Sequence, residues 1–482
     1  MLVLQVKNDR SQFICKMSKF KLFDFQEVAL NKCLDYLKKP KQKPGIAVCP
    51  TGWGKSGLIA EIARVSGLPT LVLQPSSILL EQNLDKLRLL GGDATVFSAS
   101  LKTKEMSSLT FATLGSIKSL GKEFKRKGIK LLLIDECDGS YPPEAGSMFM
   151  DFIKDLCPDF TIGFTATPIR LKNTMEGSKL QMLNRTRPKF FHNIIYCMQI
   201  AEIIAAKRWT PIKYKPYEFD DNLLILNTSG SDFTEDSIKK YNEAKGINNK
   251  ILLEVRELLA AGKSDILVFC DSVETAKTFA KHVPQSAAVY GDMPKKEKED
   301  VLTKFKNKEI KVVFNMLILG VGYDHPTLST IIFGRPTNSY RVYYQSLGRG
   351  VRIHPGKKEF TFIDYGGNVK RFGPIEQMEY IDHPINGWSM FAGDRLISGT
   401  SMGGAPVYKK DLMPKKELPK VSVPNYVIAI GKFSGKKLNE VKRSYLEYMI
   451  YTSGFDFSRG NMKVFYDTAK QYLEDTKLHV MA

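Results

Sequence analysis

Long hydrophobic runs are missing from this 482-residue chain. No apolar stretch approaches the ~18 residues that a membrane-crossing helix needs, so no membrane partner is expected. The opening MLVLQVKNDRSQF breaks into charge too early for a secretory signal, and a cytoplasmic location is expected. Cysteine is scarce and scattered: Cys15, Cys33, Cys49, Cys137, Cys157, Cys197 and Cys270 are odd in number and include no CxxC pair. That argues against both a disulfide framework and a zinc site. Acidic residues are also short, 51 against 71 Lys and Arg, for a net charge of +20. Such a deficit favours a polyanionic partner, nucleic acid first. What remains, 43% hydrophobic and 25% charged, is the composition of a globular protein, and the length suggests two or three domains.

The densest signal is IAVCPTGWGKSG at residues 46–57. A short apolar run reads as a buried strand, and Leu58, Ile59, Ile62, Ala63 and Val65 follow at helical spacing. Between them, Pro50, Thr51, Gly52, Trp53, Gly54, Lys55 and Ser56 form a glycine loop of the kind that wraps backbone N–H groups around phosphates. The helix N-terminus adds a positive dipole end. Lys55 can reach the β- and γ-phosphates of ATP, and the Ser56 hydroxyl can ligate Mg²⁺. The strict pattern asks for glycine at position 49, where this chain has Cys49. Upstream, an amphipathic helix begins near Phe23 and Gln26. A Gln amide can read an adenine edge and an aromatic ring can stack on it.

Apolar strands then alternate with helices, which indicates a parallel α/β sheet covered on both faces. The strand at 130–134 ends in Asp135-Glu136-Cys137-Asp138, and that at 161–164 ends in Thr165-Ala166-Thr167-Pro168. Ligands bind at the carboxyl ends of such strands, so the loop, the acidic tetrad and TATP can share one crevice. Asp135 suits Mg²⁺, and Glu136 suits orientation or deprotonation of an attacking water. A second alternating half starts near residue 248. Its segment YYQSLGRGVR (343–352) reads as a helix carrying Gln345, Arg349 and Arg352 on one face, a spacing that suggests arginine fingers.

Taken together, these motifs resemble a superfamily 2 helicase. Gln26 matches the adenine motif, residues 49–56 motif I, 135–138 motif II, 165–168 motif III, Ser272 the motif IV region, 320–324 motif V and 345–352 motif VI. The segments VLQPSSILLEQN (72–83), FATLGSI (111–117), GFTATPIRL (163–171), RPTNSYRVYYQSLGRGVRIHPGK (335–357) and FIDYGGNVKRFGPI (362–375) are more narrowly similar to RadD-type DNA-repair helicases and their phage relatives. The resemblance covers residues 20 to 375. It implies two RecA-like lobes, at 21–205 and 206–382, that close on ATP and grip nucleic acid. It implies phosphate-backbone contacts from Gln74, Pro75, Thr113, Gly115 and Ser116 in lobe one, and from Ser272, Asn315 and Gly320 in lobe two. Gly322 and Asp324 would meet the nucleotide across the cleft, and Thr165 and Thr167 would couple phosphate state to lobe movement. Repair or replication proteins would be its protein partners, in a bacterial or phage-infected cytoplasm.

The chain departs from that pattern in three places. The fourth place of motif II is Asp138 rather than the usual His, as in DEAD-box RNA helicases. Gln345 and the missing DEAD-box adenine motif argue the other way, so DNA is favoured over RNA. Phe23 stands where the family often has Arg, and the family's zinc-binding C-terminal region is missing. An RNA helicase and a nucleotide-gated scaffold that does not unwind remain as alternatives. A restriction-type translocase is disfavoured, because no nuclease motif is recognisable. Residues 383–424, rich in Gly, Pro, Ser and Lys, read as a linker. Residues 425–482 resemble the small α+β module that follows exonuclease X-like nucleases. There Lys432, Phe433, Lys436 and Lys437 interleave charge and aromatic surface as single-strand binders do.

Overall fold

A computed structural model describes residues 21–139, 147–174, 177–228, 230–317, 325–383, 387–400, 406–409, 426–428, 435–447, 449–450 and 460–478. The expected leader at 1–20, the motif V residues Gly320, Gly322 and Asp324, and Lys432 and Phe433 lie outside them. The chain divides into two compact units. One comprises residues 1–381 and 388–406, and the other residues 382–387 and 407–482.

Two large sheets organise the larger unit. In the first, β1 (Gly45–Val48), β2 (Thr70–Gln74), β3 (Thr95–Ser98), β4 (Thr103–Lys104), β5 (Leu109–Thr113), β6 (Leu131–Asp135), β7 (Phe160–Thr165) and a last strand, Asn193–Cys197, take the order last strand, β1, β7, β6, β2, β5, β3, β4. Only the β3–β4 pairing is antiparallel. The central strands are buried along their whole length, because helices cover both faces; hence they read GIAV, TLVLQ and LLLID with no polar alternation. β1, β7 and β6 are neighbours, with Val48 beside Thr165 and Asp135 beside Phe164. The phosphate loop, TATP and the acidic tetrad therefore leave one edge of the sheet side by side.

The second sheet is wholly parallel, in the order Ile212–Pro216, Phe360–Asp364, Thr330–Phe333, Ile266–Phe269, Val312–Asn315, Ser286–Val289. Its inner face packs Phe269 on Phe333 and Phe333 on Phe362. The helix expected at 343–352 runs instead from Tyr340 to Gly350, capped by Ser339, whose hydroxyl accepts from Val342 N–H at 3.4 Å. Arg352 lies past its end, in a bridge to Trp209.

Two antiparallel pieces depart from the sequence reading. A hairpin of β8 (Ile169–Thr174) and β9 (Gly177–Met182) directly follows TATP. Residues 387–397, expected within a linker, pair Phe391 with Leu396 and bury Met390 and Phe391. Gly393 (φ 58°) within the segment and Gly399 (φ 82°) just after it serve tight turns rather than a flexible tether. The smaller unit has its own core of Ile428, Leu438, Val441, Leu446, Ile450, Phe465, Ala469 and Leu473. Its helices are Arg443–Glu447 and Gly460–Leu478.

Candidate nucleotide site

After β1 the chain stays extended for one more residue: Cys49 N–H donates to Thr165 O at 2.9 Å, and the thiol is buried. No turn occurs there, so the missing glycine of the strict pattern costs nothing. The turn comes at Gly52 (φ 76°) and Gly54 (φ 89°), in left-handed backbone that suits glycine. Gly54 caps the helix Lys55–Val65 and leaves its first N–H groups facing the cleft.

Gln26 braces this loop. Its buried amide donates to Trp53 O at 2.8 Å and Gly54 O at 3.3 Å, while its carbonyl accepts from Phe23 N–H at 2.9 Å. The amide expected to read adenine is thus engaged by the loop itself. Gln26→Ala should remove about 1 to 1.5 kcal/mol of bracing and weaken fluorescent-nucleotide binding roughly tenfold, measured by equilibrium titration. Phe23 is exposed and stacked on Phe25, with the guanidinium of Arg208, which lines the cleft, 3.5 Å above its ring.

The floor of the cleft is charged. Lys55 Nζ lies 3.0 Å from Asp135 Oδ1 and is ion-paired with Glu136. Burial disfavours the Lys55 charge, but the two carboxylates outweigh it and hold the ammonium well above its usual range. Burial pushes Asp135 upward against the pull of Lys55, and its Oδ2 accepts from Asn83 Nδ2 at 3.2 Å. For Glu136, burial is outweighed by Lys55 and Arg341, which hold the carboxyl below its ordinary value. Glu136 takes left-handed backbone (φ 49°), a strained conformation for a residue with a side chain and one that clusters at functional sites.

Lobe two closes the other wall. Gln345 Nε2 donates to Glu136 Oε2 at 3.1 Å. Gln345, Arg349 and Arg352 line the same cleft, of about 420 Å³, as Pro50, Thr51, Gly52, Gly54, Lys55, Ser56, Asp135 and Glu136. Lobe two also grips the loop. Thr51 N–H donates to the Tyr344 hydroxyl at 3.2 Å, and Trp209 Nε1–H, from the segment between the sheets, donates to Thr51 O at 2.6 Å. A Cβ at Gly348 would stand 2.8 Å from Thr51 Cγ2, so the glycine permits the approach.

The remaining expected residues are less uniform. Thr165 Oγ1 accepts from Thr167 N–H at 2.9 Å, and Thr167 Oγ1 donates to Asp138 Oδ2 at 2.6 Å. Pro75, Gly115 and Ser116 reach the surface at least in part, as does Thr113, whose hydroxyl bonds that of Ser116 at 2.8 Å. Gln74 and Asn315 do not: both are buried, and Asn315 Nδ2 donates to Val268 O at 2.9 Å. Each stands at a strand end packed under helices, so its side chain is not presented to a nucleic acid in this conformation. Ser272 caps its own helix, accepting from Thr275 N–H at 3.1 Å, beside a pocket where Glu235, Asp236, Asp271 and Glu274 outnumber Lys239. That charge opposes a phosphate.

The sequence reading missed Arg208, Trp209, Tyr344, Asn83 and Arg341. Of these, Arg341 had a visible signal, since residues 341, 345 and 349 repeat every four places and share a helix face. The profile of the type III restriction enzyme res subunit matches residues 19–170, and that of the helicase conserved C-terminal domain matches residues 249–354. With the two parallel sheets and the cleft between them, this decides the family. The chain has the core of a superfamily 2 helicase, two RecA-like lobes of P-loop NTPase fold. The candidate ATP-dependent helicase IRC3 of Saccharomyces cerevisiae is 25% identical over 370 residues, covering 72% of this chain and 51% of that protein. This helicase core thus spans about half the length of that yeast relative. The DNA 3′–5′ translocase XPB2 of Sulfurisphaera tokodaii is 24% identical over 372 residues, covering 69% of this chain and 79% of that protein. In fold, the helicase core matches a fragment of a candidate HsdR subunit of a type I restriction enzyme from Vibrio vulnificus. The TM-score is 0.54 at 21% identity, over 73% of this chain and 65% of that one. Among the described residues, no helix is long and apolar enough to cross a membrane.

Proposed function

We propose that this helicase core is a DNA motor that hydrolyses ATP to drive cycles of lobe closure and opening. The observation that carries the reading is the joint ownership of one cleft. Lys55, Asp135 and Glu136 come from lobe one, and Gln345, Arg349 and Arg352 from lobe two. Only a closed protein assembles all six. Ser56 and Asp135 offer hard oxygen donors of the kind Mg²⁺ takes alongside phosphate oxygens, and both line the cleft. Mg²⁺ would neutralise developing charge there; Glu136 would take the proton of the attacking water, and the arginines would face the γ-phosphate.

DNA is favoured over RNA because a translocase relative is named for DNA, and because Asp138 has a structural partner that accounts for it without RNA. The narrower similarity to RadD-type enzymes supports repair or replication remodelling as the setting. The C-terminal module, with Lys436 and Lys437 exposed, is read as an accessory grip on single strands.

The test is steady-state ATP turnover alone and with single-stranded, forked and duplex DNA and with RNA, at two salt concentrations, repeated without residues 405–482. Stimulation by DNA that falls steeply with salt is expected. Stimulation by RNA alone would overturn the DNA reading, and unchanged single-strand affinity of the shortened chain would remove the module's role.

A further inference from the structure

The fourth residue of the acidic tetrad sits at a crossing of contacts. The Asp138 side chain is wholly buried and accepts from Thr167 Oγ1. Its second neighbour crosses from lobe two: Arg341 Nε lies 2.9 Å from Asp138 Oδ2, and Arg341 Nη2 lies 3.9 Å from Glu136 Oε2. The contact is charge against charge, since the Nε–H does not point along it. The guanidinium lies flat on Gly139, where a Cβ would come within 2.3 Å of Arg341 Cζ, so the seat exists only because that residue has no side chain.

We propose that Arg341 is a closure latch, a positioning residue that engages the buried Asp138 when the lobes meet and thereby brings Gln345 and Arg349 to Glu136. The inference rests on the reading of the cleft as a site of ATP hydrolysis. Its mechanics follow from helix geometry. Residues 341, 345 and 349 repeat every four positions within the helix Tyr340–Gly350, so a displacement of the helix that lifts Arg341 from its seat also carries the other two away. Its energetics follow from burial. Without Arg341, the Asp138 charge keeps, among the described residues, only the Thr167 hydroxyl as side-chain partner in a site closed to water, an arrangement that costs much more than the paired one.

A second link reinforces the first. The Asp138 carbonyl accepts from Arg170 Nη2 at 2.8 Å and Nε at 3.2 Å, at the start of the hairpin. The hairpin's other strand reaches residues beyond the first sheet: Ser178 Oγ donates to Gly230 O at 3.0 Å, and Leu180 O accepts from Gly399 N–H at 2.6 Å. An aspartate in the fourth place is therefore explained by its arginine partner.

The full chain is compared with Arg341→Ala, Arg341→Lys, Asp138→Asn and the Arg341→Ala/Asp138→Asn double variant. For Arg341→Ala, kcat with DNA should fall about 10- to 100-fold. Lobe opening lets water reach the unpaired Asp138 without unfolding, so fluorescent-nucleotide affinity should stay within about threefold and the thermal midpoint should not move, which separates positioning from folding. Arg341→Lys should recover part of the loss, and the double variant should be no worse than Asp138→Asn alone. Additive losses, or kcat of Arg341→Ala within about twofold of the parent, overturn the latch. A parent chain without ATP turnover sinks the underlying reading instead. An active parent, a dead Lys55→Ala and an unaffected Arg341→Ala sink the latch alone.

Discussion

Glu136→Gln should bind nucleotide and fail to turn it over. The substitution keeps the shape of the side chain and removes the base, a loss of about 10² to 10⁴ in kcat. It also removes one of the two anions that hold Lys55, so affinity for ATP should be equal or higher. Lys55→Ala should lose turnover as well, by about 10² to 10³, through a different defect. The ammonium that would face the phosphates is gone, and Asp135 and Glu136 are left side by side without their shared counter-ion. Nucleotide binding should therefore weaken in Lys55→Ala and hold in Glu136→Gln. Rapid-quench turnover and fluorescent-nucleotide titration measure the two quantities separately. Unchanged turnover in either variant would remove the motor assignment.

Arg352→Ala should lower kcat by about 10³ or more, on the scale of an arginine finger that stabilises charge on a transferring phosphoryl group. Arg349→Ala should do the same to a lesser degree, since its position within the helix is shared with Gln345, which already contacts Glu136. Arg352 lies beyond the helix, fixed instead by its bridge to Trp209 and by Thr210, whose hydroxyl donates to Arg352 O at 3.0 Å. Lys357 adds to this anchoring, donating to Gly350 O at 2.5 Å and to Pro326 O and Arg352 O at 3.1 Å. A normal kcat in Arg352→Ala would end the finger role.

The alternating strands, the phosphate loop and the acidic tetrad were legible because each is local: a run of apolar residues, then loop chemistry at a strand end. Position 49 shows the limit of pattern matching. Cys49 reads as a defect in the motif and proves to be one more residue of extended chain. What the sequence concealed is mostly contact between distant segments. Nothing near Thr51 announces that Trp209 and Tyr344 will hold its peptide. Gln26 looked like a base reader because its amide chemistry fits that task, yet buried loop carbonyls compete for the same N–H groups and win here. The strands at 387–397 were hidden by composition, since turn glycines and linker glycines are spelled alike. Gln74 and Asn315 were placed by motif register alone, which cannot tell a strand end open to solvent from one beneath a helix.

The bond from Trp209 to the loop gives the protein an optical signal of its own. The chain has three tryptophans, and Trp209 is 5% exposed, with its indole N–H on Thr51 O and its ring 6.3 Å from that of Tyr344. With Trp53 and Trp388 replaced by Phe, the emission of the remaining indole should report separation of the lobes in real time. Parting Tyr344 from the loop would wet the ring, shift its emission to the red and change its quenching. Stopped-flow mixing with nucleotide would then time each opening without a dye, and a spectrum that never moves would mean that the loop, Trp209 and Tyr344 travel as one body.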